Sequence, residues 1–480
     1  MYKRKIFVYV AGLLALAMLL AACGPAPTPE VVTQVKEVEV TRVVAGTPEV
    51  VVVTATPEPE QPQEGPTVIV WWSHWANEPS KRVVIEKIKA DYEAEHPDVK
   101  IVLTWWDKNP MRDALRNTMN AGEGAPDITS DFCSPEEVAA GWCLPLTDVL
   151  PWESFVPGTQ EASSYAALGY PDNYKYDIGL SMNMIFYNKE IFEELGIQVP
   201  DNYQFTQDEW VEISEKCSAA GYAGAADAIG NRNYPARFPV WFALFNLVGP
   251  EEFNKYYSGQ QSWDTPQIRQ VLDWFVQLRD AGFWPSTFST MTIDEFHVYF
   301  HTQHKACTLY VPSWYAGRAF KPVEQGGQDP NWHFGMLRYP LMNGATAPDT
   351  IYVAYESGYH VTSATRHPDI AKDILVFASQ PKYGALWTAV TNIPSAIVYD
   401  PVKDWPSDEL LEELGVVPGQ WNWYWEEYNK VYGGLQGGQA PTPLCDKFEQ
   451  AWASAINEGL PLGLITVDEA IEMMDANLCK

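Results

Sequence analysis

The sequence predicts an α/β fold of at least two lobes, and three observations carry that reading. A strand, a helix and a second strand follow one another between Thr67 and Trp106. Well-marked helix starts recur along the rest of the chain. About 410 residues follow the first 66, more than one sheet is expected to use. No Gly/Ser linker separates the lobes, so they are expected to be built from interleaved segments.

The first strand is "TVIVWW". In Ser80 to Glu95, Val84, Ile85, Ile88 and Tyr92 recur at helical spacing, and "VKIVLTWW" from Val99 to Trp106 supplies the next strand. Strand, helix and strand in this order form a βαβ unit and imply a parallel sheet covered by helices. Farther on, Thr206 with Glu209, Thr292 with Glu295 and Thr466 with Glu469 fit the capping box. Thr265-Pro266 opens another helix, which Gly282 stops.

The N-terminus has its own logic. Lys3, Arg4 and Lys5 precede an apolar run from Ile6 to Leu20, as in a secretory signal, and the run falls short of the ~20 residues a membrane span needs. Leu20-Ala21-Ala22-Cys23-Gly24 resembles a bacterial lipoprotein signal, which implies lipidation at Cys23 and an extracytoplasmic, membrane-anchored protein. Residues 1–22 therefore read as signal and 23–66, rich in Pro, Thr, Val and Glu, as an extended tether. Residues 67–480 remain for the folded part.

Charge and cysteines narrow the partners. With 32 basic and 62 acidic residues the net charge is −30, which disfavours nucleic acid, whose binding rests on Lys and Arg. Cys133, Cys143, Cys217, Cys307, Cys445 and Cys479 remain after Cys23, an even number on the oxidising side of a membrane. Six cysteines allow about 15 pairings, and nearness in sequence suggests only Cys133 with Cys143.

Tryptophan is abundant, 20 residues against 19 Phe, and many stand beside polar groups, as in "WWSHWANEP", "LTWWDKNP" and "WNWYWEEYN". Indole rings suit surfaces where a flat apolar face meets a ligand, and sugars present such faces among their hydroxyls. The tryptophans after the first strand are expected to face a cleft at the sheet's carboxyl end, with one of Trp71 and Trp72 in the core because neighbours on a strand point opposite ways.

Taken together, "VIVWWSHW", "AGEGAPDI", "MIFYNKEIFEELGI", "FTQDEWVEIS", "FHTQHKACTLYVPSW", "NIPS" and "GLITVDEAIEMM" resemble the carbohydrate-binding family of extracellular solute-binding proteins of ABC importers. The resemblance implies a two-lobed periplasmic-binding-protein-like fold with a ligand cleft, and a monomer that delivers a carbohydrate to a permease and ATPase. It places lobe 1 at about 67–180 plus 314–364 and lobe 2 at about 181–313 plus 365–480. It implies ligand contacts at Trp72, His74, Trp75, Asp131, Asn183 and Trp314, and more weakly at Trp241, Tyr359, Asn392, Trp423 and Trp425.

Two other chemistries bear on the sequence. His297, His301 and His304 recur at i, i+4 and i+7, a zinc-like spacing, but the resemblance ends the helix near His304, leaving solvated surface histidines, no metal and no cofactor. A secreted glycoside hydrolase is the alternative of another class. Its two carboxylates are not marked by any motif, and G-x-S-x-G, the P-loop and H-E-x-x-H are absent.

Overall fold

The computed structural model describes residues 65–130, 133–166, 169–230, 237–355, 358–439 and 445–479. The expected signal, Cys23, nearly all of the tether and Asp131 lie outside the described residues.

The expected βαβ unit is present. Strand β1 (Thr67–Ser73), helix α1 (Pro79–Glu95) and β2 (Val99–Trp105) follow one another, and β1 pairs in parallel with β2 from Thr67 opposite Val99 to Ser73 opposite Trp105. Helix α1 buries Val84, Ile85, Ile88 and Tyr92, the four residues at helical spacing, on the sheet. After α2 (Lys108–Ala121), the short β3 (Ile128–Ser130) adds in parallel to the other edge of β1.

A second sheet begins with β4 (Leu180–Tyr187). Helix α3 (Gln207–Ala219), β5 (Ala223–Ala226), α4 (Arg237–Val248), α5 (Pro266–Asp280), α6 (Ile293–His301) and β6 (Ala306–Pro312) follow. Next come β7 (Gly335–Leu337), β8 (Thr350–Tyr355), β9 (Tyr359–Val361), α7 (Pro368–Ala378), α8 (Pro381–Thr391), α9 (Asn422–Tyr432) and β10 (Gln436–Gln439). The larger sheet runs β10-β8-β4-β6-β5 with β7 on β4, and the smaller runs β9-β3-β1-β2. The capping boxes at Thr206, Thr292 and Thr466 are all formed, and Thr265 caps α5.

The expected segment boundaries need correction. Strands β7 and β8, expected with the first lobe, pair with β4 in the larger sheet. Helices α7 and α8, expected with the second, pack on α1. The register explains the difference. Val353 to Tyr355 pair with Met182 to Leu180, so the chain leaves the larger sheet only after Tyr355 and rejoins β3 at Tyr359.

Near this passage, bridges join Tyr176 to Tyr359 and Gly179 to Ser395, so three chain crossings lie side by side. Trp387 packs against the backbone there so closely that a Cβ on Gly179 would lie 2.7 Å from its Nε1. Three disulfides, Cys133–Cys143, Cys217–Cys307 and Cys445–Cys479, tie the fold, the first being the pair suggested by nearness.

Gly179→Ala is expected to lower stability by about 1–3 kcal/mol through overpacking at the crossings, measured by denaturant unfolding. An unchanged midpoint would mean that Trp387 gives way freely.

Candidate ligand-binding site

Alternation along β1 sends Trp71 into the core and leaves Trp72 half-buried. Trp72 packs on Trp106, ring centroids 4.8 Å apart. The loop after β1 is tied to the end of β2, because the Trp106 N–H donates to the Ser73 carbonyl and the Ala76 N–H to the Trp106 carbonyl. His74 uses both its backbone N–H and its ring Nδ1 on Ser130 Oγ, at 3.0 and 2.8 Å.

Trp75 differs from the expectation. It is 1 % exposed, edge-on to Tyr359 and tilted against Trp387, with centroids at 5.3 and 5.4 Å. Tyr359 is itself fully buried and shares a 2.9 Å hydrogen bond with Ser73. These two side chains form the floor of the site rather than its surface. The strand has ended at Ser73, so alternation no longer governs, and rings from distant segments decide the outcome.

Over this floor lies a buried charge cluster. The Lys81 ammonium sits 5.0 Å from the Trp75 ring and 5.9 Å from that of Trp387, and it pairs with Glu78 at 2.6 Å. Arg318, which follows β6, lies 3.5 Å from the same carboxylate and 2.6 Å from Asp294 on α6. The Arg318 guanidinium also stands 5.6 Å over the half-buried Trp314. A Cβ on Gly317 would lie 3.4 Å from Ser80 Oγ, so the β6 side approaches the start of α1 closely. Glu78 also stands at the N-terminal end of α1, where the helix dipole favours negative charge. Burial works against its charged form, yet Lys81 and Arg318 outweigh burial and hold its pKa at about 2.

A cavity of about 520 Å³ adjoins this contact, lined by Asn77, Pro79 and Arg82 from one side and Asp294, Val298 and Lys321 from the other. Trp72, Trp106 and Trp314 do not line this cavity; the charged and polar groups that do, Asn77, Arg82, Asp294 and Lys321, can offer hydrogen bonds to a ligand.

The remaining expected residues scatter. Asn183 is buried in β4 and donates to the Tyr352 carbonyl at 3.2 Å. Trp241 lies in the core under Trp452, 4.2 Å away. Asn392 caps α8 and accepts from Trp425 Nε1 at 3.2 Å. Trp423 stacks on His333. His304 is off the helix as expected, with φ +53. His297 and His301 are not solvated: both are buried, because α6 turns them inward. His301 engages Tyr315 and the Gly326 carbonyl, and burial first holds its pKa down at about 4. Burial, then Arg318, keeps His297 neutral.

Sequence reasoning missed Glu78, Lys81, Arg318 and Trp387. The first two stand three residues apart at the start of a helix, and Arg318 stands four residues after Trp314, a spacing that was available.

The model of the bacterial extracellular solute-binding protein family matches residues 87–412. The chain belongs to this family. Its members bind solutes outside the cytoplasm and are not enzymes, so the hydrolase alternative is set aside. An uncharacterized ABC transporter extracellular-binding protein of Pyrococcus horikoshii is 23% identical over 370 residues, 74% of this chain and 76% of that protein. An arabinooligosaccharide-binding protein of Halalkalibacterium halodurans is 24% identical over 347 residues, 68% of this chain and 70% of that protein. A solved structure from work on xylan utilization by Caldanaerobius polysaccharolyticus shares the fold with TM-score 0.70 at 18% identity, covering 86% of this chain and all of that one.

Because the folded-state pKa of Glu78 is depressed, its ion pairs stabilise the protein fully above about pH 4.5 and are lost as pH falls toward 2. Glu78→Gln, which leaves buried Lys81 without its carboxylate, is expected to cost about 3–5 kcal/mol at pH 7, and less as the pH is lowered through that window. Unfolding curves for both proteins across pH measure it; a difference independent of pH would contradict the assignment.

Proposed function

We propose that this chain is the receptor of an ABC importer that captures a sugar or oligosaccharide outside the membrane and hands it to the permease. The observation that carries the reading is the union of half-buried tryptophans with charged groups where segments from the two sheets meet. Trp72 and Trp106 come from the smaller sheet, and Trp314 and Arg318 follow a strand of the larger. The arabinooligosaccharide-binding relative supports the ligand class.

In this reading each sheet is the core of one lobe, about 67–178 with 359–398 and about 180–355 with 400–479, which the separate strand orders of the two sheets support. A ligand touching both favours the closed arrangement and shifts the population toward it. Stacking on indoles supplies much of the affinity. Polar groups select hydroxyl geometry, since a buried polar group left unpaired costs about 1–3 kcal/mol. The permease and its ATPase then recognise the closed form. Among the described residues no helix is long and apolar enough to cross a membrane, and lipidation at Cys23 would hold the receptor at the surface through the tether.

Titration with arabinose, xylose and raffinose-type oligosaccharides is expected to raise the unfolding midpoint, with about 2.7 kcal/mol gained at a hundredfold excess over Kd, and to return the sugar unchanged. Trp72→Ala and Trp314→Ala should each weaken binding by more than about 1 kcal/mol. A broad glycan panel without any shift would refute the ligand class.

Cys23→Ser is expected to leave the protein unprocessed or unanchored, because firm attachment takes more than one acyl chain. Fractionation of membranes and medium tests it, and release of the unsubstituted protein without detergent would contradict the anchor.

A further inference from the structure

The wall that carries His74 and Trp72 rests on the main core through Trp71, Trp75 and Tyr359, but its half-buried indoles Trp72 and Trp106 do not. Among the described residues these two pack against a separate apolar cluster that includes Met111, Leu115, Cys133 and Cys143. The described part of this cluster is small, and small cores generally rely on a covalent or metal staple.

The Cys133–Cys143 disulfide lies inside that cluster. Cys133 stands three residues beyond Ser130, whose hydroxyl receives the backbone N–H of His74 and meets its ring nitrogen. Cys143 bridges Thr362, just past β9, and the Leu144 N–H donates to the Val361 carbonyl. The link thus ties Cys133, three positions after β3 in sequence, to the segment that bridges the residue after β9. Cys133 is held at φ +60, a left-handed conformation that non-glycine residues seldom adopt, and its carbonyl accepts from the Tyr165 hydroxyl at 2.8 Å. The other disulfides sit elsewhere, Cys217–Cys307 joining α3 to β6 within the main core and Cys445–Cys479 near the C-terminus.

We propose that the Cys133–Cys143 disulfide is a positioning element for ligand binding: it fixes the end of β3 so that Ser130 orients His74, and it braces Trp72 and Trp106 from below. The proposal rests on the reading of this wall as the sugar-binding surface. It assigns the three disulfides different work, affinity to Cys133–Cys143 and global stability to Cys217–Cys307, which closes the longest loop, of 90 residues.

The test compares the double variant Cys133→Ala/Cys143→Val, which keeps apolar volume but removes the link, with Cys217→Ala/Cys307→Val. Calorimetric titration with arabinotriose and xylotriose, thermal unfolding and hydrogen exchange are measured on each purified protein. The first variant is expected to bind about tenfold more weakly, because the wall must be ordered on binding, with a small change in Tm and faster exchange at 73–77 and 133–144. The second is expected to lose Tm and keep its affinity while folded. Unchanged affinity in the first variant, or a loss of Tm as large as in the second, overturns the proposal. Should neither sugar bind, the titration uses a glycan that raises the unfolding midpoint of the unsubstituted protein; should no glycan of a broad panel do so, the functional reading fails, and exchange decides alone: unaltered exchange at 73–77 overturns the positioning role.

Discussion

The contact on which the rest depends is the buried carboxylate of Glu78, held between Lys81 and Arg318. Charges removed from water are costly, and their mutual attraction offsets that cost only where the geometry is good. Here Lys81 supplies a 2.6 Å partner and covers two indole faces, while Arg318 brings in the segment that follows β6. The aromatic floor of Trp75, Tyr359 and Trp387 keeps the local dielectric low, which strengthens the attraction and makes an unpaired member expensive. One residue thereby joins the loop after the first strand of the smaller sheet to a segment extending the larger one.

This contact helps explain the tryptophans at the ends of β1 and β2. Some are structural: Trp71 and Trp75 fill space that the smaller sheet must cover. Others stay half-exposed because the charge cluster and the loop ties after β1 and β2 hold them there. The division gives a rigid apolar floor and an accessible aromatic rim. A receptor that must recognise a flat, hydroxylated ligand needs both.

Much of the fold was legible because its signals are local. The apolar spacing in α1, the parallel pairing of two apolar strands and the four caps at Thr206, Thr265, Thr292 and Thr466 each need only a few neighbouring residues. Trp71 and Trp72 separated correctly because they lie within a strand. Trp75 did not, since its fate depends on Tyr359 and Trp387, about 300 residues away in sequence. The first crossing, near residue 180, was placed well, but the later two were misplaced for the same reason as Trp75: β7 and β9 have only three residues each, and their pairing partners cannot be read from so short a run. His297 and His301 carried a periodic signal, but periodicity does not say which helical face turns inward. Asn183 and Trp241 were carried over from a resemblance, and their side chains are committed to packing and to a backbone carbonyl.

The most direct test of the central claim is a double-mutant cycle on Glu78→Gln and Arg318→Gln, read as the free energy of oligosaccharide binding. If the pair joins the two halves of the site, the double variant loses about as much affinity as either single one, leaving a coupling above about 0.5 kcal/mol. Losses that simply add would show that the two residues act separately, and the account of the site would be wrong.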